Sequence, residues 1–545
     1  MRPWRQFTVS FIMALALGAC ELGKDFKELA EGLRKQDNVS TKDIIKGGIA
    51  ADEPRAVRVG RDILDGGGSA VDAAAAMYLT MAVTLPSSAG LGGGGVCVVH
   101  DGWTGNTEAI DFLARPPKSV PAAATRPSAV PGNVGGFFAM HAKYGRLRWP
   151  QIVAPAENLA RFGINVSRAF ATDLGQAEEA LMAEPSIREI FARADGSGLV
   201  KEGDPLKQVE LAAVLSRLRS LGPADFYSGE TARKLVEAVN SAGGSLTFDD
   251  LNSYHPIWSP AIVVPFKGLL THFAPPPAAA GAVAAEMWSM LVNDDRYEDT
   301  APEARNHLLV ETASRAFADR GQWLREDGTG SVDVFALAAP ERTGKLMAGY
   351  REDRHVPVTP APAQRQENPS ASGFAVIDQD GYGVACVMTM NNLFGIGRVA
   401  SGAGVMIAAL PGKGGRGPTS LGPVLITDES QRLIFFAGAA TGGVAAPTAL
   451  VSIIAGTQID ETPLEDVMNA KRVHHSGAPD MVYYEQGLSD AELKNLAKRG
   501  HTVAATKTLA RVNAVSCFDG LPGKPEQCSA RTDPRGFGDQ MNVGF

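Results

Sequence analysis

A layered α+β fold, with helices on both faces of a mixed sheet, is predicted by three features of this sequence. Helical spacing with clear start and stop signals dominates up to about residue 320. Strand-type apolar runs replace it beyond residue 370, and a proline-started apolar helix follows the last of those runs. At 545 residues, 45% apolar and 7% aromatic, the chain can build one large unit or two halves sharing a core.

The N-terminus reads as an export signal. Arg2 and Arg5 precede the apolar run Phe7 to Leu17, which is too short for a comfortable membrane span. It ends in Leu17-Gly18-Ala19-Cys20, which resembles a bacterial lipobox. In that motif the cysteine is acylated and becomes the first mature residue, so Cys20 would tether the protein to a membrane. Glu21, rather than aspartate, follows it, which by resemblance favours the outer membrane. The polar residues 21–45 suit a tether between lipid and folded domain.

The fold is expected to start at Gly47. Asp52-Glu53-Pro54 resembles a helix start, with Ala56, Val59 and Ile63 on its apolar side and Gly66-Gly67-Gly68 at its end. Ser69-x-x-Asp72 opens a second helix through Ala73 to Ala76. The run Gly90 to Gly95 precedes the strand Val96–Val99. A phosphate loop would precede a helix and carry Lys-Ser/Thr, so close backbone packing is the better reading of these glycines.

From Trp149 to Arg320 the pattern is mostly helical. Thr359 to Pro369 holds three prolines and no apolar period, which predicts low order. Phe374–Asp378 and Gly383–Met390 flank Asp380-Gly381, a hairpin signal. Leu433–Ala437 reads as a strand running into Gly442-Gly443, after which Pro447 starts a helix through Ile454.

A formal charge of -8, with cations spread along the chain, argues against a nucleic-acid groove and leaves a small polar ligand as the better fit. Cys517 and Cys528 flank the loop Asp519–Gly523 and can form a local disulfide in an oxidising compartment. Cys97 and Cys386 are expected as buried strand residues acting as small hydrophobes. No metal site is expected: C-x-x-C pairs and H-E-x-x-H are absent, and adjacent His474 and His475 cannot face one ion from a regular element.

Several stretches, in this order, resemble γ-glutamyltransferases from Gly47 to Phe545. They are Ile63-Leu64-x-x-Gly67-Gly68-Ser69-Ala70-Val71-Asp72, the glycine run after Pro86, Val130-Pro131-Gly132, Phe226-Tyr227-Ser228-Gly229, Leu246-Thr247-x-x-Asp250-Leu251, Pro275-Pro276-Pro277, Phe317-Ala318-Asp319-Arg320 and Asp533-Pro534-Arg535. The resemblance implies the N-terminal-nucleophile (Ntn) hydrolase fold, an αββα four-layer sandwich, and no cofactor. It divides the chain into a signal peptide (1–20), a tether (21–45), a large-subunit-like region (46–370) and a small-subunit-like region (371–545) around one shared core.

In that family the chain cuts itself, and the freed threonine attacks a γ-glutamyl carbonyl with its own α-amine as base. Counting back from Asp380-Gly381 and Thr389-Met390-Asn391, the family's Thr-Thr-His falls on Ala371-Ser372-Gly373, which removes the nucleophilic hydroxyl. By the same resemblance Thr389 and Asn391 support the nucleophile, Thr419 and Ser420 belong to the substrate pocket, and Gly442-Gly443 form the oxyanion loop. The family's Phe-Arg-Glu becomes Phe112-Leu113-Ala114, with Arg115 two residues on as the remaining candidate clamp. Its Asn-Asn-x-x-Asp-Asp becomes Ala408 to Lys413, a cation where an acid should hold the substrate's ammonium. Three readings follow: a non-cleaving pseudoenzyme lipoprotein of the envelope; an active γ-glutamyl or other amide hydrolase or transferase using Ser370 or Ser372 on a substrate other than glutathione; or an ordinary glutathione-cleaving transferase, which would require a gap in the count back to Ala371.

Overall fold

The computed structural model describes residues 47–325, 328–359, 370–412 and 420–543, and these described residues form one compact unit. The signal segment, Cys20, the tether, residues 360–369, Lys413 and Thr419 lie outside the described residues.

Two antiparallel sheets stack face to face. The first has the order 539–543, 47–51, 372–378, 383–389, 94–100, 107–112, 257–260. The second runs 528–531, 511–521, 433–441, 424–428, 269–273, 262–266. Three apolar layers hold the stack together. One lies between the first sheet and helices that include Pro54–Asp65, Ala70–Thr84 and Trp149–Phe162. A second lies between the other sheet and Ala280–Val292, Arg305–Trp323 and Ala446–Gln458. The third fills the space between the sheets.

This layering explains why the central strands read as continuous apolar runs: with both faces covered, Ser372–Asp378 and Gly383–Thr389 are buried at every position. Parity still sorts the side chains. Phe374 and Val376 face the helix layer, while Ala371, Ala375 and Ile377 face the second sheet.

The local signals act as the physics requires. Glu53 accepts from the N–H groups of Arg55 and Ala56 at the first helix, and Ser69 with Asp72 closes a capping box worth about 1 kcal/mol. Asp72 also accepts from the Arg146 and Leu147 backbone, pinning a distant loop to that helix start. The glycine run packs against backbone: a Cβ on Gly94 would lie 1.9 Å from the Ala114 nitrogen, and one on Gly92 2.2 Å from the Met406 carbonyl oxygen. Gly381 takes a φ of 85° at the hairpin turn, which favours glycine.

Three expectations need correction. The stretch up to residue 320 is not helical throughout, because Ile257–Pro260, Ile262–Phe266 and Leu269–Phe273 are strands at or near sheet edges. Ile262–Phe266 alternates buried and exposed, and Lys267-Gly268, both at positive φ, make the tight turn of a hairpin. The second helix is longer than read, Ala70–Thr84, buried all round. Cys97 and Cys386 are buried, but they face each other across neighbouring strands and are disulfide-bonded. Cys517 and Cys528 are bonded as well, in the register of their hairpin. Among the described residues no helix is long and apolar enough to cross a membrane.

Candidate active site

The strand 372–378 enters the sandwich at a cavity of about 150 Å³ lined by Asp52, Ser88, Asp173, Ser370, Ala371, Ser372 and Arg511, among others. Two side chains hold the strand's start. Asp52 Oδ2 accepts from the Gly373 N–H at 2.9 Å, and Asn513 Nδ2 donates both to Asp52 Oδ1 and to the Gly373 carbonyl, each at 3.0 Å. Sequence reasoning missed Asp52 as a site residue because it abuts a helix start. Asn513 carried no local signal: its role comes from pairing across the sheets.

Ala371 is 4% exposed and its methyl belongs to the apolar layer between the sheets. Leu113, where the resemblance implies an arginine, packs in that same layer. Ser372 has the opposite parity, and its hydroxyl meets Ser88 Oγ at 2.5 Å on the helix-layer side. Thr389 Oγ1 donates at 3.0 Å to the carbonyl of Ser370, the residue preceding Ala371, and also accepts from the Asn391 N–H. Asn391, at a φ of 61°, donates from Nδ2 to the Ala409 carbonyl and so fixes the 408–410 loop. Arg511 Nη2 donates to the Ala371 carbonyl at 3.3 Å.

Gly442 and Gly443 take φ of 116° and 68° just after the 433–441 strand, whose last residue, Thr441, pairs with Arg511, and helix 446–458 begins there. That strand's end touches the site: a Cβ on Gly373 would come within 3.1 Å of the Ala439 Cβ. Ser420 is buried. Arg115 is not among the residues lining the cavity. It pairs with Asp111, donates to the His255 carbonyl and sits over the Tyr254 ring.

Burial raises the Asp173 carboxyl above its ordinary range, against the opposing influence of its hydrogen bond from Ser87 and the nearby Arg511 charge. The cavity therefore offers two cations, Arg511 and Arg535, two carboxyls, and the hydroxyls of Ser88, Thr172, Ser370 and Ser372, with a methyl at the head of the strand.

Comparison with known proteins places this geometry. The gamma-glutamyltranspeptidase family profile matches residues 56–409 and 408–543. The chain is 28% identical to the glutathione hydrolase proenzyme of Escherichia coli K12 over 92% of both chains, and 27% identical to that of Pseudomonas aeruginosa over 81% of this chain and 85% of the relative. Among solved structures it resembles cephalosporin acylase from Bacillus halodurans, with a TM-score of 0.78 at 22% identity over 92% of this chain and 96% of that one. It also resembles the gamma-glutamyltranspeptidase of Helicobacter pylori, with a TM-score of 0.52 at 28% identity over 56% of this chain and 93% of that one. These likenesses identify the sandwich as the Ntn-hydrolase fold. The chain belongs to the gamma-glutamyltranspeptidase family.

Proposed function

We propose that this protein is a family member that neither cleaves itself nor transfers γ-glutamyl groups, retained as an exported, lipid-anchored binding or structural module of the envelope. The observation carrying the proposal is the methyl of Ala371 at the head of the central strand, facing the inter-sheet layer, at the position the resemblance aligns with the family's threonine. Self-cleavage needs an oxygen that can attack the Ser370 carbonyl, and alanine has none. The apolar Leu113, in the same inter-sheet layer, stands where the resemblance implies the cation that would clamp a glutamyl carboxylate.

The test is a reducing denaturing gel of the purified mature protein. A single chain is expected, and two fragments meeting near residue 370, identified by terminal sequencing, would overturn the proposal. Reduction is essential because Cys97–Cys386 joins the two sides of that position covalently, so cleaved and intact protein would otherwise co-migrate. Anchoring is tested separately: Cys20→Ser should move the protein from the membrane fraction to the soluble one, and unchanged sedimentation would exclude acylation there.

A second reading has its own supporting observation. Ser372 Oγ and Ser88 Oγ lie 2.5 Å apart beside a cavity holding Asp52 and Asp173, a constellation that could serve amide hydrolysis through Ser372. Labelling by a serine-directed fluorophosphonate that disappears in Ser372→Ala would favour it over the first.

A further inference from the structure

Four of the chain's nine histidines, His307, His355, His475 and His501, converge with Glu311 and Asp480 in the helix layer of the second sheet. His307 and Glu311 are four residues apart and share one face of helix Arg305–Trp323. His501 follows the helix Asp490–Lys498, and His355 is held by its own N–H, which donates to the Arg499 carbonyl at 2.6 Å.

The hydrogen bonds decide which ring nitrogens carry lone pairs. His307 Nε2 lies 2.9 Å from the Arg351 carbonyl, which only accepts, so in the neutral ring the proton is on Nε2 and the lone pair on Nδ1. That Nδ1 points at His501 Nε2, 2.7 Å away. His355 donates from Nε2 to Asp480 Oδ1 at 2.9 Å and from Nδ1 to Glu311 Oε1 at 2.5 Å, so the metal-free ring holds both protons and an ion would displace the one on Nδ1. Glu311 spends its other oxygen on Arg315, at 2.6 Å, and Oε1 lies 3.9 Å from His501 Nε2. Because His307 Nδ1 holds a lone pair, His501 Nε2 donates to it, and for Nε2 to ligate an ion its proton must shift to His501 Nδ1, which is buried without a hydrogen-bond partner. His475 differs: the Gly477 N–H donates to its Nδ1, placing the proton on Nε2, which turns to Asp480.

We propose that His307 Nδ1, His355 Nδ1, His501 Nε2 and Glu311 Oε1 form a binding site for a divalent transition metal of the zinc class. Three imidazoles and one carboxylate are a common donor set for such an ion. The donors of His307, Glu311 and His501 lie within 4.8 Å of one another, and His355 Nδ1 adjoins them through Glu311 Oε1. Since the edge of a tetrahedron with metal–ligand bonds of about 2.0–2.1 Å is roughly 3.3 Å, the 2.5 and 2.7 Å contacts would open and the 3.9 Å one close around an ion. The outer nitrogens of His307 and His355 are already held by a carbonyl and a carboxylate, the arrangement that orients metal-bound histidines. Glu311 and His307 are buried, so the ion would be enclosed rather than open to substrate. His307, Glu311 and His355 precede position 371 and His501 follows it, so the ion would be a second tie across that position beside Cys97–Cys386.

The full mature protein, stripped with a chelator and dialysed, is titrated with Co²⁺ and then Zn²⁺. One Co²⁺ per chain is expected, with the intense visible absorption of a tetrahedral site, displaced by one Zn²⁺. The His307→Ala/His501→Ala variant should lose that band, His475→Ala should keep it, and Asp480→Asn should weaken affinity about 10–100-fold. A band that persists in the double variant would overturn the proposal. Should the double variant fail to fold, the unaltered chain decides: no stoichiometric band, or no rise in Tm of the stripped protein on adding Zn²⁺, refutes the site.

Discussion

Replacing Ala371 by threonine separates the two losses proposed above, that of the nucleophile and that of the substrate pocket. Ala371 borders a cavity of about 150 Å³, so the added hydroxyl and methyl have room. Thr389 Oγ1 already donates to the carbonyl that the new hydroxyl would attack, at 3.0 Å. Attack on the Ser370 carbonyl carbon would transfer the acyl group from nitrogen to oxygen, and water would then hydrolyse the ester and free the amino group of residue 371. A371T is therefore expected to yield two fragments on a reducing gel. Transfer from a chromogenic γ-glutamyl anilide should stay low. An arginine–carboxylate hydrogen bond contributes about 1.5–3 kcal/mol, so Leu113 alone should cost roughly 10–150-fold in kcat/KM. The charge inversion that the resemblance implies at Lys413 should add to that. L113R and K413D added to A371T should recover part of the loss. Robust turnover by A371T alone would refute this reasoning, because it would mean that the pocket was never dismantled. A folded A371T that stays intact would show instead that Thr389 and the Gly442-Gly443 turn do not suffice for cleavage.

Three further outcomes follow from the packing. Asp378→Ala should destabilise the fold by about 2–4 kcal/mol in urea unfolding, since it strips the buried acceptor of the Ala70, Asp380 and Tyr382 N–H groups. A change below 1 kcal/mol would mean that water replaces it. Removing Cys97–Cys386, which spans 289 residues of sequence, should cost about 3–5 kcal/mol and more than removing Cys517–Cys528, which spans 11; the reverse order would refute the loop-closure argument. The Arg217 guanidinium, with Thr231 and the Glu230 N–H, depresses the Asp225 carboxyl to about 2, so its stabilisation is present above about pH 4 and fades as pH falls through about 2. Asp225→Asn should lower stability near neutral pH and flatten that acid limb; an unchanged limb would place the acid sensitivity elsewhere.

What the sequence determined by itself was the local and the colinear. The Ser69/Asp72 box, the Asp380-Gly381 turn and the Gly442-Gly443 turn are dictated by backbone chemistry within a few residues, and the colinear motifs carried the family. The Lys267-Gly268 hairpin was equally local, but its alternating strand sat within a helical stretch and was overlooked. Tertiary structure alone decided pairing between residues hundreds of positions apart. Cys97 and Cys386 were legible as buried strand residues, but their register opposite one another is a property of the sheet. Strand parity assigned Ala371 to the inter-sheet face and Ser372 to the helix face, and Asp52 and Asn513 joined the site only once the sheets were stacked. The histidine cluster is the clearest case. Its members are scattered over some two hundred residues with no ligand spacing beyond His307 and Glu311, and only the packing of the second helix layer brings their nitrogens together.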